Sequence, residues 1–318
     1  MSIQFLDSGS ANGYAIRNDE YNFLFRVAKI FQNKHPNKKI CFMRESWLTQ
    51  ELAENMLKNI NYDFLITFCL MDEHVIDTNK FNNAISVGYI KNSKYFYDSL
   101  AVLFAKHFNY NIDINTNPKL FQKSFLSYNG KPHEHRKELI KSLRKAELVD
   151  KGYISFASME TIALRKIKQD DILKNRIVPG PYDPLTFGPM ENWNTFFLNI
   201  VTETSPNPSD SWFWNEKTFK PMLGYRPFLT YAPGGNVEML KHYKFEDYVN
   251  DFNDISDLDL TNTDNIVPFL KVLSEQNTKY IVHKYKQLWE KITYNRQHFF
   301  DHVKNQSQIF SRLEEIAI

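Results

Sequence analysis

The 318-residue sequence has only two cysteines, no long apolar run and almost no excess of charge. Cys41 and Cys69 lie in apolar segments without a Cys or His at metal-ligand spacing, so we expect neither a disulfide framework nor a cysteine metal site. No apolar run approaches the ~20 residues that a membrane span needs. The first residues also lack a basic segment followed by an apolar one. These absences predict a cytoplasmic protein that binds no membrane.

The formal net charge of +2 excludes a global electrostatic field that would hold the protein on nucleic acid, so a bound polyanion would need a local basic patch. Hydrophobic residues make up 42% of the chain and aromatic residues 15%, which indicates a globular protein with substantial cores. The many Asn, Lys and Ile residues suggest an AT-rich coding genome, which permits a phage or viral origin.

Short apolar segments alternate with segments of helical period along most of the chain, and this alternation predicts parallel sheets covered by helices. The expected strands are Ile3–Leu6, Ile40–Met43, Phe64–Leu70, Ala84–Ile90, Phe125–Tyr128, Tyr153–Phe156, Phe196–Val201 and Phe228–Tyr231. The expected helices are Asn22–Phe31, Trp47–Ile60, Phe96–Phe108, Glu134–Glu147, Asn215–Leu223 and a long amphipathic helix in Lys279–Leu313. A polar, Asn-rich stretch at Asn109–Lys119 separates the two arrays. We therefore expect an α/β fold of two facing Rossmann-like domains, 1–117 and 118–278, with a C-terminal helical segment, 279–318, packing back on the body.

The first group of candidate residues follows the predicted strand Phe125–Tyr128. Asn129 opens a glycine-containing turn, and His133, His135 and Arg136 occupy the first turn of the next helix. A helix N-terminus presents unpaired N–H groups and attracts anions, and the donor fork of Arg136 suits a diphosphate. A solvated helix start explains the same residues equally well.

The second group follows the predicted strand Phe196–Val201. Thr202 and Glu203 would emerge at the carboxyl edge of the sheet, where open α/β folds bind ligands. Asn215 is a good N-cap for a helix that opens with Glu216, Lys217 and Thr218. A carboxylate here can accept hydrogen bonds from a ribose diol, and the lysine can neutralise phosphate. In an ordinary helix start the glutamate would favour the helix dipole but the lysine would not, which favours the binding interpretation.

The order of these elements resembles the donor domain of the α-1,3-fucosyltransferases and related two-domain (GT-B) glycosyltransferases, over about Phe125–Gly235. The resemblance implies that Arg136 and Lys217 hold the donor diphosphate, that Glu216 binds the ribose hydroxyls, and that Glu203 lies near the donor sugar. The segment between Glu203 and Glu216 is longer than is usual in that family. Domain 118–278 would then bind the nucleotide sugar, and domain 1–117 would face the glycosyl acceptor.

A general base for the acceptor hydroxyl is expected from the first domain. Asp72 and Glu73 follow a buried strand and Asp19 and Glu20 precede a helix, although such residues are more often solvated loop charges. The resemblance implies no metal ion and no cofactor, because the nucleotide sugar is a substrate. The Asp257-Leu-Asp259 pair lies in an acidic polar segment, Asp247–Asp264, and is interpreted as a solvated loop.

The sequence therefore predicts a glycosyltransferase that moves a sugar from a nucleoside-diphosphate donor to a hydroxyl acceptor, which is either a glycan or duplex DNA. One alternative is a DNA-modifying glycosyltransferase acting on hydroxylated bases of phage DNA. His298 and His302, with Arg296 and Lys304 nearby, would then form a basic strip against duplex DNA, or else a solvated helix face. A non-catalytic nucleotide- or sugar-binding protein, or a scaffold without a ligand, is also compatible with these patterns.

Overall fold

The computed structural model describes residues 3–7, 29–30, 33–34, 36–44, 50–69, 77–88, 95–96, 101, 105, 114–129, 133–156, 187, 190–203, 216–232 and 236–306. Within these ranges the chain forms two parallel sheets, so the expected α/β class is confirmed. None of the helices in the described ranges combines the length and the apolar character that a membrane crossing requires.

The first sheet has five parallel strands in the sequential order β1-β2-β3-β4-β5. Their bounds are Ile3–Asp7, Ile40–Arg44, Phe64–Cys69, Ala84–Gly88 and Tyr95–Phe96. Helix α1, Gln50–Leu57, connects β2 to β3 and buries Ala53 and Leu57 in a small core with Cys41, Met43 and Leu65. Burial raises the pKa of the Cys41 thiol to about 11, so this thiol stays protonated and unreactive at neutral pH.

The second sheet has four parallel strands in the order β7-β6-β8-β9. Their bounds are β6 Lys123–Asn129, β7 Gly152–Phe156, β8 Phe196–Val201 and β9 Phe228–Thr230. Helix α2, Glu134–Lys145, follows β6, and helix α3, Met190–Trp193, precedes β8. Helix α4, Glu216–Leu223, leads from β8 to β9. All six residues of β8 are buried, as expected for a central strand covered on both faces.

The second sheet reverses its winding direction between β6 and β8. The chain passes from β6 to β7 on one side and from β8 to β9 on the other side. Because parallel crossovers are right-handed, α2 and α4 belong to opposite faces of this sheet. The carboxyl ends of β6 and β8 therefore form a topological switch point, the usual ligand position in open α/β sheets. The five described strands of the first sheet run in sequential order and show no such reversal.

Four further helices complete the described part of the second half: α5 Val237–His242, α6 Ile266–Ser274, α7 Thr278–Gln287 and α8 Trp289–Gln306. The expected long helix in Lys279–Leu313 is thus two helices within 278–306, with Leu288 between them. Asn277 caps α7 by accepting a hydrogen bond from the Tyr280 N–H at 2.9 Å. Helix α8 packs on α4, where the Phe219 and Phe299 ring centroids are 5.2 Å apart.

A buried arginine attaches the segment before β6 to the second sheet. Arg226 is fully buried and donates hydrogen bonds to the carbonyl oxygens of Trp193, at 2.8 Å, and Asn115, at 3.1 Å. Its guanidinium also lies 4.9 Å from the Phe121 ring centroid and 5.3 Å from that of Phe196. Asn115 precedes the expected domain boundary at 117/118, so the packing of the second sheet already includes residues before that boundary.

The acidic segment Asp247–Asp264 contributes to the core as well as to the surface. It has turns and one short 3-10 helix, and it buries Tyr248, Phe252 and Leu260 against the second sheet and its helices. Asn295 on α8 fixes the position of Glu246, the residue directly before this segment. It accepts a hydrogen bond from the Glu246 N–H at 2.8 Å and donates one to the Glu246 carbonyl at 2.9 Å. The expectation of a polar segment with few apolar neighbours is wrong for these buried residues.

Candidate functional site

The carboxyl ends of β6 and β8 are joined by a hydrogen bond between side chains. Thr202, directly after β8, donates from Oγ1 to Oδ1 of Asn129, the last residue of β6, at 2.6 Å. The Asn129 amide nitrogen donates in turn to the carbonyl and hydroxyl oxygens of Ser127, at 3.3 and 3.2 Å. Both predicted residues therefore meet at the switch point, where they fix the spacing of the two strand ends.

Arg136 is turned toward this edge from the first turn of α2. Its Nη2 donates to the carbonyl oxygens of Thr202 and Glu203, each at 3.0 Å. The side chain is only 2% exposed, because it continues the buried stripe of Leu139, Ile140 and Leu143 at helical spacing. Arg136 thus lies at the end of β8, with its guanidinium bound to protein carbonyls.

His135 contacts the same carbonyl from a different direction. Its Nε2 lies 3.0 Å from the Glu203 carbonyl oxygen, and its ring stacks on that of His133 at a centroid distance of 5.9 Å. Burial lowers the pKa of His135, and the charges of Arg136 and His133 lower it further, whereas the bond to Glu203 opposes the shift. His135 is therefore held near its neutral form at physiological pH.

Helix α4 reaches the site through Thr218, whose Oγ1 donates a short hydrogen bond to the Glu203 carboxylate. Glu203 is 2% exposed and Thr218 is 1% exposed, so this contact is sealed from solvent. The predicted residues Glu216 and Lys217 begin the same helix, and the Lys217 side chain is half-buried. Glu203 is accordingly the residue at which the starts of α2 and α4 meet the end of β8.

Burial divides the predicted residues into two groups. Asn129, Arg136, Thr202, Glu203 and Thr218 are each no more than 2% exposed and make hydrogen bonds inside the protein. They position the strand ends and helix starts. The predicted residues that are only half-buried in the described part of this edge are His133, His135 and Lys217.

Several predicted residues lie outside the described residues. These are the four candidates for the general base, Asp19, Glu20, Asp72 and Glu73, and the expected N-cap Asn215. The described site is consequently built from the second sheet and its two helix starts.

The expected basic strip on the C-terminal helix is not a solvated face. Arg296 is 4% exposed and its guanidinium lies 4.7 Å from the Tyr225 ring centroid. His298 is bonded to the Tyr243 carbonyl oxygen at 2.6 Å, and His302 lies among the Tyr243 and Phe245 rings. The interpretation as a solvated face is wrong for Arg296, because Arg296 falls on the same helical stripe as the buried Ile292 and Phe299.

Asp257 and Asp259 are exposed, as expected for a solvated loop. Asp259 accepts hydrogen bonds from the backbone N–H and the hydroxyl of Thr261, at 2.9 and 2.6 Å. The Asp259 carboxylate therefore stabilises a local turn of the chain.

A groove of about 360 Å³ lies beside helix α2. It runs between Ser142 and Lys145 of α2, Tyr231 after β9, and Asp264 and Val267 at the start of α6. From the rise of a helix, its α2 residues are about 10 to 15 Å from His135 along the axis. No local sequence pattern predicts this groove, because it forms between helices that are distant along the chain.

No protein-family model matches the chain, and a search of the curated proteins finds no match. The functional interpretation therefore rests on the residues at the switch point and on the general chemistry of such positions.

Proposed function

We propose that the chain is a metal-independent glycosyltransferase that moves a sugar from a nucleoside-diphosphate donor to a hydroxyl acceptor. The observation that carries the proposal is the arrangement around Glu203, at the switch point of a parallel sheet. The main chain of Glu203 is held by Arg136 and His135 from α2, and its carboxylate is held by Thr218 from α4. Such rigid support suits a site that must stabilise charge as a bond breaks.

The charge in question belongs to the leaving group, because a sugar nucleotide releases a diphosphate anion. Lys217 would neutralise this anion from the start of α4. The first turn of α2 would add N–H groups, since the first N–H groups of a helix have no partner within the helix. Arg136 would contribute positive charge from behind the strand edge while holding the carbonyls of Thr202 and Glu203 in place.

In this proposal the two sheets belong to the two facing halves of a GT-B enzyme, with the glycosyl acceptor bound on the side of the first sheet. Glu216 would bind the donor ribose, and Asp19, Glu20, Asp72 and Glu73 are the candidates for a general base that the sequence alone offers. The preferred acceptor is a glycan hydroxyl. Duplex DNA is a less favoured acceptor. The predicted basic strip on α8 was the main argument for it, but Arg296 is buried and both His298 and His302 pack against aromatic rings.

The proposal is tested by a thermal-shift screen of UDP-, GDP-, CMP- and dTDP-sugars. A donor at 100 times its dissociation constant should stabilise the protein by about 2.7 kcal/mol. Lys217→Ala should weaken donor affinity by about tenfold or more, because it removes a charge-assisted contact to the diphosphate. Lys220→Ala, in the last turn of the same helix, serves as the matched control.

Turnover separates the competing functions. A donor that binds but is neither hydrolysed nor transferred to any of a broad glycan panel would identify a binding protein instead. The absence of a shift with every sugar nucleotide would favour a scaffold and overturn the proposal. Transfer to hydroxymethylated duplex DNA, with affinity that falls as salt rises, would assign the DNA-modifying alternative.

A further inference from the structure

The hydrogen bond between His135 and Glu203 fixes which ring nitrogen carries the proton. A backbone carbonyl oxygen can only accept, so the Nε2 atom, 3.0 Å away, must be the donor. A neutral imidazole with a proton on Nε2 has its lone pair on Nδ1. Among the described residues, Nδ1 has no hydrogen-bond partner, and the side chain is only half-buried. The hydrogen bond to the Glu203 carbonyl therefore fixes the tautomer in which Nδ1 of His135 is the basic nitrogen.

The charges around the ring keep it in this basic form. Arg136 and His133 on the same helix oppose protonation, and the positive end of α2 adds to their effect. Glu138, one turn further along α2, favours protonation. From the β8 edge Glu203 presents its carbonyl oxygen, while its carboxylate is bound to Thr218 of α4. Burial is the largest cause and acts in the same direction as Arg136 and His133, so the pKa of His135 is lowered and the neutral ring is favoured.

We propose that His135 is the general base of the transfer reaction and accepts the proton of the attacking hydroxyl on Nδ1. This inference rests on the proposed function. It assigns the base to the second sheet, at the start of α2, whereas the sequence suggested acidic residues of the first domain. The Glu203 carbonyl orients the imidazole ring of His135 by accepting the hydrogen bond from Nε2–H. The same bond stabilises the imidazolium that forms when Nδ1 takes up the proton.

The proton and electron balance of the step is complete without a further reagent. The hydroxyl oxygen of the acceptor, or of water in hydrolysis, forms a bond to the anomeric carbon as its proton moves to Nδ1. The bond between that carbon and the diphosphate oxygen breaks, and its electron pair leaves with the nucleoside diphosphate. His135 is then an imidazolium with protons on both nitrogens, and it returns one proton to solvent.

Three variants test the assignment in donor hydrolysis, measured with UDP-glucose and GDP-fucose. His135→Gln keeps an N–H donor in the place of Nε2 but cannot take up a proton, and His135→Ala removes both functions. The control is His283→Gln, an exposed residue of α7. We expect His135→Gln to lower kcat by about 100-fold or more with little change in KM. It should also abolish the fall in kcat at acid pH that protonation of the base causes in the parent.

Nitrogen-15 spectroscopy of the histidine rings gives a readout that needs no turnover. The Nδ1 atom of His135 should be unprotonated at pH 7, and a proton found there would overturn the assignment. If a donor is bound and hydrolysed but His135→Gln keeps the parent kcat and pH profile, the base is another residue and the glycosyltransferase proposal stands. A donor that binds without any turnover overturns both the glycosyltransferase proposal and the role of His135 as a base, and it leaves only a donor-binding site. If neither nucleotide sugar, nor any other in the screen, binds, both proposals fail.

Discussion

The Thr218 hydroxyl donates a hydrogen bond to the buried carboxylate of Glu203, which joins helix α4 to the end of strand β8. A carboxylate sealed from water is stable only when its oxygens have donors. Thr218 is therefore part of the support of the switch point, even though it has no exposed surface from which to bind a ligand.

Thr218→Val should destabilise the protein by about 1 to 3 kcal/mol, because it removes a donor from a buried carboxylate without changing the side-chain shape. Urea unfolding measures the loss. Thr218→Ser, which keeps the hydroxyl, should recover most of it, and Thr278→Val on the exposed first turn of α7 should have little effect. Equal stability of the Val and Ser variants would show that the hydroxyl is not the stabilising group.

Arg136→Lys should cost about 1 to 3 kcal/mol, because one ammonium group cannot reproduce the planar donor fork that serves the Thr202 and Glu203 carbonyls. Arg144→Lys, in the exposed last turn of the same helix, is the matched control. Chemical denaturation compares the two. A residue that served only to bind a ligand would leave unfolding unchanged, so an unaltered midpoint for Arg136→Lys would contradict the positioning role.

Gly224→Ala should destabilise the turn between α4 and β9 by about 1 to 3 kcal/mol. A Cβ atom at this position would lie 2.5 Å from Cε2 of the Trp193 indole, whose Nε1 donates to the Gly224 carbonyl at 3.1 Å. The measurement is a double-mutant cycle with Trp193→Leu. If the overlap with the indole is the cause, the alanine costs less when the indole has been replaced by leucine, and strictly additive costs would contradict this explanation.

Stability should fall as the pH is lowered from about 6.5 toward 4, through His302. Burial lowers the pKa of His302 from 6.5 to about 4, and the charge of His298 adds to this shift. The folded state therefore binds fewer protons than the unfolded state in this range, and full protonation costs up to about 3 kcal/mol. Unfolding free energies measured between pH 8 and 4 check this.

His302→Phe should flatten the pH dependence, since a phenyl ring can pack among Tyr243 and Phe245 without titrating. His283→Gln, exposed on α7, should leave the slope as in the parent. A slope unchanged by His302→Phe would assign the acid sensitivity to other groups.

Local patterns were enough to predict most of the strands in the described part of the chain. The apolar run Phe196–Val201 matches β8 residue for residue, and Thr202 and Glu203 follow it at the carboxyl edge. The order of the strands was not predictable in this way, because it depends on crossovers between segments far apart in the chain. Strand β5, Tyr95–Phe96, was also not predictable from local patterns. It pairs with β4, although the sequence around it has the spacing of a helix.

The burial of two arginines could have been inferred from helical spacing. Arg136 precedes the buried Leu139, Ile140 and Leu143 by three, four and seven residues, which places it on their stripe. Arg296 follows the buried Ile292 by four residues and precedes the buried Phe299 by three, which places it on their stripe as well. The positive charge of both side chains suggested exposure to solvent. A guanidinium can nevertheless be buried when carbonyl oxygens accept its hydrogen bonds or aromatic rings stack on it.

The packing of α8 on α4 has a consequence for biosynthesis. Ribosomes deliver the chain from its amino end, so β6, α2 and β8 emerge well before the helix that covers α4. Until Phe299 arrives, the apolar side of α4 around Phe219 is exposed on the nascent polypeptide. The packing around Phe219 on α4 is therefore completed only after α8 has been synthesised.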